Sequence, residues 1–133
     1  MPIDASEIVC LALPCDQTAA PIVRAALDEA PGLDSVRDDA RLVASELVTN
    51  AVLHSQCASD DLIEVRARLG QSHLLISVHD PGDPDQTPRP KPTADPAHGG
   101  FGLRIVQQIA RRWGAERPDG HLVWAELAMR RAD

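Results

Sequence analysis

The chain has no tyrosine, one phenylalanine and two tryptophans among its 133 residues, and Lys91 is its single lysine. So few rings leave the core to Leu, Val, Ile and Ala. The scarcity of lysine and a net charge of −7 exclude broad nucleic-acid binding, which rests on neutralising phosphates with basic side chains. There is no GxxxxGK[ST], which excludes a P-loop, and no GxSxG elbow of a serine hydrolase. Three cysteines, Cys10, Cys15 and Cys57, are an odd number without a CxxC pair. Neither a disulfide framework nor a zinc site is therefore expected, and free thiols are. No stretch approaches the roughly 20 apolar residues of a membrane span. Residues 1–6 lack a basic region followed by an apolar run, so no signal peptide is expected. These absences lead to an expectation of a cytoplasmic location, with no membrane and no direct nucleic-acid partner.

What is present suffices for one domain over residues 1–133, since 44% of the residues are hydrophobic. Residues 7–13 are short and apolar and end before Pro14, which predicts a strand. Residues 16–28 predict a helix capped by Asp16, with Pro21 in its early part. Residues 34–55 predict a long helix from an N-cap at Asp34. There Val36, Ala40, Val43, Leu47 and Ala51 form one apolar stripe. Residues 62–69 alternate apolar and polar, and 74–78 follow a Gly70-Gln71 turn, which predicts an antiparallel hairpin. Residues 81–100 carry six prolines and almost no apolar side chain, the composition of a long functional loop. Residues 101–113 predict a helix, with Leu103, Val106, Ile109 and Ala110 on one face, and 121–128 a last strand. The expected fold class is α+β: a two-layer sandwich with helices on one face of a mixed sheet.

Three polar clusters interrupt this apolar framework. Glu46 and Asn50 stand four residues apart in the long helix, so both project from one face, and His54 extends the row. An amide oxygen suits a magnesium–phosphate complex, and a neighbouring carboxylate can accept a proton from a hydroxyl. Asp80 and Gly82 end the second hairpin strand. Asp80 can accept a hydrogen bond from an exocyclic amine, and Gly82 lets a flat ring come close. Gly99, Gly100 and Gly102 lead into a helix whose first N–H groups can face an anion. Taken singly, each has a plainer account: a solvated helix face, an ordinary turn, a hinge. Their order along the chain separates them from chance. A Rossmann site is excluded, because Gly100-Phe101-Gly102 follows a proline-rich loop and position 105 is Ile.

RLVASELVTNAVLHS resembles the N box of Bergerat-fold (GHKL) ATPases, VHDPG their first glycine box and HGGFGLRIV their second. With the ending RRWGAERPDGHLVWAEL, the chain is similar to the anti-sigma-factor serine/threonine kinases over nearly its whole length. The resemblance implies ATP and Mg²⁺ as cofactors. It makes Glu46 the general base and Asn50 the Mg²⁺ ligand, and it places Asp80 at the adenine amine with Gly82 beside the ring. Gly100, Gly102, Leu103 and Arg104 fall at the nucleotide phosphates, and residues 81–98 form an ATP lid. It further implies an anti-sigma-factor antagonist or a sigma factor as partner, and a homodimer. Two departures stand out. Leu122 takes the place where the family's last strand often has a Thr beside the adenine. Phe101 takes that of a frequent Arg, for which Arg104, Arg89 or Lys91 could compensate. Two functional classes follow: a protein kinase, favoured by the Glu46–Asn50 pair, or a docking module with little nucleotide affinity, favoured by Leu122.

Overall fold

The computed structural model describes residues 6–54, 61–80, 101–116 and 121–129. In chain order these form β1 (Ser6–Pro14), α1 (Ala19–Glu29), α2 (Arg37–His54), β2 (Leu62–Leu69), β3 (His73–Asp80), α3 (Phe101–Ile109), β4 (Arg112–Glu116) and β5 (His121–Ala128). The strands make one sheet in the order β1-β2-β3-β5-β4. The α+β class is as expected. Every neighbouring pair is antiparallel, however, where a mixed sheet was expected.

The buried stripe of the long helix holds as read from its spacing: Val36, just before α2, and Ala40, Val43, Leu47 and Ala51 within it are all buried. It packs with Ile63, Val65 and Ala67 of β2, Leu74, Ile76 and Val78 of β3, and Ala125 and Leu127 of β5 in one core. Alternation in β2 and β3 sends every second side chain to this layer. Each larger aliphatic buried there contributes roughly 1.5–3 kcal/mol. The hairpin register pairs Val65 with Val78 and Ala67 with Ile76, so apolar positions of both strands share the helix side.

The helix starts differ from expectation in detail. Asp16 lies two residues before the N-cap, Thr18. Its carboxylate accepts the Thr18 N–H at 2.8 Å and the Thr18 hydroxyl. Those two bonds hold the Asp16 carboxyl below its ordinary value of 3.8, the side-chain bond acting most. Pro21 is the third residue of α1, where a backbone N–H would lack a helical partner anyway. The long helix begins at Arg37 rather than beside Asp34. Asp34 instead accepts Arg37 Nη2 at 3.0 Å, while Arg37 Nη1 donates to the carbonyls of Leu27, Ala30 and Asp28. One guanidinium thus caps α1 and fixes the entry of α2. Gly32, at φ 82° between them, takes a conformation that side-chain-bearing residues rarely adopt.

Two further expectations need correction. The helix over residues 101–113 ends at Ile109, and Trp113 lies in β4. The Ala110 N–H still bonds to Val106, but the Arg111 N–H bonds to the Glu126 carbonyl at 2.8 Å. The backbone changes from helix to sheet between these two residues because β5 offers an acceptor there. Arg112 is therefore a strand residue. Cys15 is disulfide-bonded and not a free thiol. Among the described residues, Cys10 is free and exposed. No helix among the described residues is long and apolar enough to cross a membrane.

Candidate nucleotide site

Helix geometry sets the place of the first cluster. At about 100° per residue, the α1-facing side of α2 carries Arg41 and Ser45. Arg41 Nε lies 3.2 Å from Asp28, and Arg24 Nη1 donates to Ser45 Oγ at 3.3 Å. Glu46 and Asn50 fall on the flank turned away from α1, next to the buried Val43 and Leu47. Both are half-buried, so their polar ends can reach a ligand while their stems lie against the core. Leu47 and Val48 are fully buried and fix the rotation of the helix about its axis.

Asp80 is the last residue of β3. Its position in the strand's alternation, with Leu74, Ile76 and Val78, turns it to the helix side, where α2 packs on β3. Only 3% of it is exposed, and among the described residues it is the one buried charged side chain. A carboxylate survives burial only when hydrogen-bonded or paired, and Asp80 does have a polar partner. α2 and β3 therefore bring Glu46, Asn50 and Asp80 to the same side of the sheet. α3, which also packs on α2, starts at Phe101. Arg104 is exposed in its first turn, and Gly102 and Leu103 fall in its backbone. Gly82, Gly100 and the expected lid over residues 81–98, with Arg89 and Lys91, lie outside the described residues. So do the side chains of Phe101, Leu103 and His54.

Leu122 is elsewhere than expected. It pairs with His79, while Asp80 pairs with His121. Neighbouring residues on a strand point to opposite faces. Leu122 accordingly lines the outer face of the sheet with His79 and Trp124, on the far side from Asp80. It does not stand beside a base held by Asp80. On a strand a shift of one position changes the face.

The donor set fits a nucleotide complexed with a divalent cation. It offers an amide oxygen and a carboxylate one helical turn apart, with a second, buried carboxylate at the end of the adjoining strand. Residues 14–127 match the family model of the histidine kinase-like ATPase domain. Among curated proteins, no relative matches the chain.

Proposed function

Because the chain belongs to the histidine kinase-like ATPase domain family, an ATP-binding fold, we propose that it is a serine/threonine protein kinase of the anti-sigma-factor type. It transfers the γ-phosphoryl of ATP to a hydroxyl of an anti-sigma-factor antagonist in the cytoplasm and so regulates a sigma factor. The observation that carries this reading is the disposition of Glu46 and Asn50, half-buried on one flank of α2, on the same side of the sheet as buried Asp80.

In this scheme Asp80 accepts a hydrogen bond from the adenine amine and orients the base, with Gly82 beside the ring. Asn50 holds Mg²⁺ through its amide oxygen without adding negative charge next to phosphates. When bound, Mg²⁺ offsets charge on the phosphoryl oxygens. Glu46 accepts the proton of the substrate hydroxyl as its oxygen bonds to the γ-phosphorus and the bond to the β–γ bridging oxygen breaks. ADP leaves, and the product is a phosphoserine or phosphothreonine. Gly100, Gly102, Leu103 and Arg104 contact the phosphates from the start of α3. Leu122 lies on the other face of the sheet, which removes the residue that favoured a pure docking module.

The test uses purified protein, labelled Mg-ATP and candidate antagonist proteins, beside Glu46→Ala. Label transfer that disappears in the variant, with ATP binding retained, is the expected result. Transfer that persists removes Glu46 as the base. ATP binding without transfer to any candidate protein favours the docking module.

A further inference from the structure

Helix α2 has two apolar sides. One is the stripe buried against the sheet. The other looks outward and holds Leu42 and Leu53, which are 41% and 67% exposed. At about 100° per residue, Leu53 falls about 20° and Glu46 about 40° from Leu42 around the helix axis. Thr49, also exposed, belongs to the same line. α1 packs on the side of Arg41 and Ser45, and the sheet lies beneath. Among the described residues the two leucines are left open.

The charges around this ridge have one sign. Asp38 and Asp39 are exposed in the first turn of α2. Asp39 falls about 60° from Leu42, on the Glu46 side. The arginines of the helix are turned to α1, Arg37 to the carbonyls of Leu27 and Ala30 and Arg41 to Asp28.

Glu46 can take a proton only from a hydroxyl within hydrogen-bond reach, about 2.6–3.2 Å. A folded protein that brings a hydroxyl there must lay its surface on α2. A specific interface takes about 800 Å² from each partner, a patch about 16 Å in radius. Along the helix axis Leu42 lies about 6 Å from Glu46 on one side, and Leu53 about 10 Å on the other. Both leucines are inside that patch. We infer that the outward ridge from Leu42 to Leu53 is the docking surface for the phosphate-accepting protein. It selects a partner with an apolar patch around the acceptor hydroxyl and a basic side chain toward the Asp39 end. The inference rests on the kinase reading above and adds to it the residues that choose the protein substrate. Leu42 and Leu53 are apolar anchors and take no part in phosphoryl transfer, while Asp39 acts as a charged rim that speeds encounter.

Steady-state transfer from labelled Mg-ATP to the antagonist protein that accepts label from wild type tests it. Leu42→Glu and Leu53→Glu should each raise KM for that protein at least about tenfold. Their kcat at saturating acceptor and their calorimetric Kd for Mg-ATP should not change. Leu53→Met keeps the anchor and should retain the wild-type KM. Asp39→Asn should raise KM at low salt and flatten its rise with ionic strength. Circular dichroism and a urea midpoint show whether each variant is folded, and Glu is about as good a helix former as Leu. Unchanged KM in folded Leu42→Glu and Leu53→Glu would overturn the docking ridge while leaving the kinase reading intact. So would a loss confined to kcat or to ATP affinity, which would place the leucines at the nucleotide. Equal salt dependence in wild type and Asp39→Asn would overturn the basic contact. A Leu53→Glu variant whose sedimentation mass halves while KM holds would give the ridge to a second copy of this chain instead. A wild type that labels no antagonist protein would refute the kinase reading itself, and the ridge with it.

Discussion

Replacing Asp80 by asparagine separates the adenine end of the proposed site from the phosphate end. Asp80 is 3% exposed, so a bond it makes to a ligand is shielded from water. A net hydrogen bond to a charged group is worth about 1.5–3 kcal/mol, a neutral one about 0.5–1.5. Asparagine keeps one acceptor oxygen but loses the charge and can present its NH₂ to another donor. The expected loss is therefore about 1–3 kcal/mol, or roughly a 5- to 150-fold weaker Kd for Mg-ATP. Titration calorimetry measures it directly. Magnesium tripolyphosphate, which has no base, serves as the internal control and should bind both proteins equally. A urea midpoint for each protein shows whether the fold is intact. Equal ATP affinity in a folded variant would refute the adenine assignment. An equal loss for ATP and tripolyphosphate would place Asp80 at the phosphates instead.

Leu122→Thr should leave ATP affinity within about twofold, because a gain or loss of one well-placed hydrogen bond, about 1 kcal/mol, is not available from the outer face; a larger change by calorimetry would put position 122 at the nucleotide. Arg37→Ala removes the donor to the carbonyls of Leu27, Asp28 and the C-cap Ala30 and should lower unfolding free energy by about 1.5–3 kcal/mol in urea. Asp34→Ala, losing a partner whose side chain is 98% exposed, should cost under about 1 kcal/mol, and comparable losses would contradict the capping role of Arg37. Thr18 lowers the Asp16 carboxyl below 3.8, so the unfolded chain takes up that proton first as pH falls. The contribution of Asp16 is then complete above its ordinary value and disappears as pH drops through the lowered folded one. Urea midpoints of wild type and Asp16→Ala should differ by a constant amount at neutral pH and converge as the pH falls below the ordinary carboxyl value of 3.8, and a gap that persists in acid would refute it.

Periodicity exposed the parts of this fold whose burial is decided locally. The α2 stripe and the β2–β3 alternation each bury one face, so their apolar spacing repeats the geometry of the element. The same logic made Glu46 and Asn50 readable as a pair, since residues four apart on a helix share a side whatever surrounds them. β4 obeys no such rule. RWGAE does not alternate, and as five residues at a sheet edge it is a strand only because β5 supplies its hydrogen bonds, beginning with Arg111 N–H to Glu126. The helical spacing that runs into Trp113 had nothing to stop it in sequence.

Leu122 and the outer face depend on the same kind of non-local information. Which face a strand residue takes follows from its partner's register, and the pairing of Leu122 with His79 rather than Asp80 reverses the meaning of a single letter. Once the register is known, the departure that weakened the kinase reading becomes part of a different surface. Glu64 with Glu116 and Arg68 with Arg112, about 50 residues apart in sequence, become the two ends of one groove. Chemistry carried by neighbours along a helix can be read from the chain, whereas chemistry assembled across a sheet needs the pairing first. The proposed nucleotide site and the groove that holds Leu122 thus lie on opposite faces of one sheet, because residues alternate, one by one, along β3 and β5.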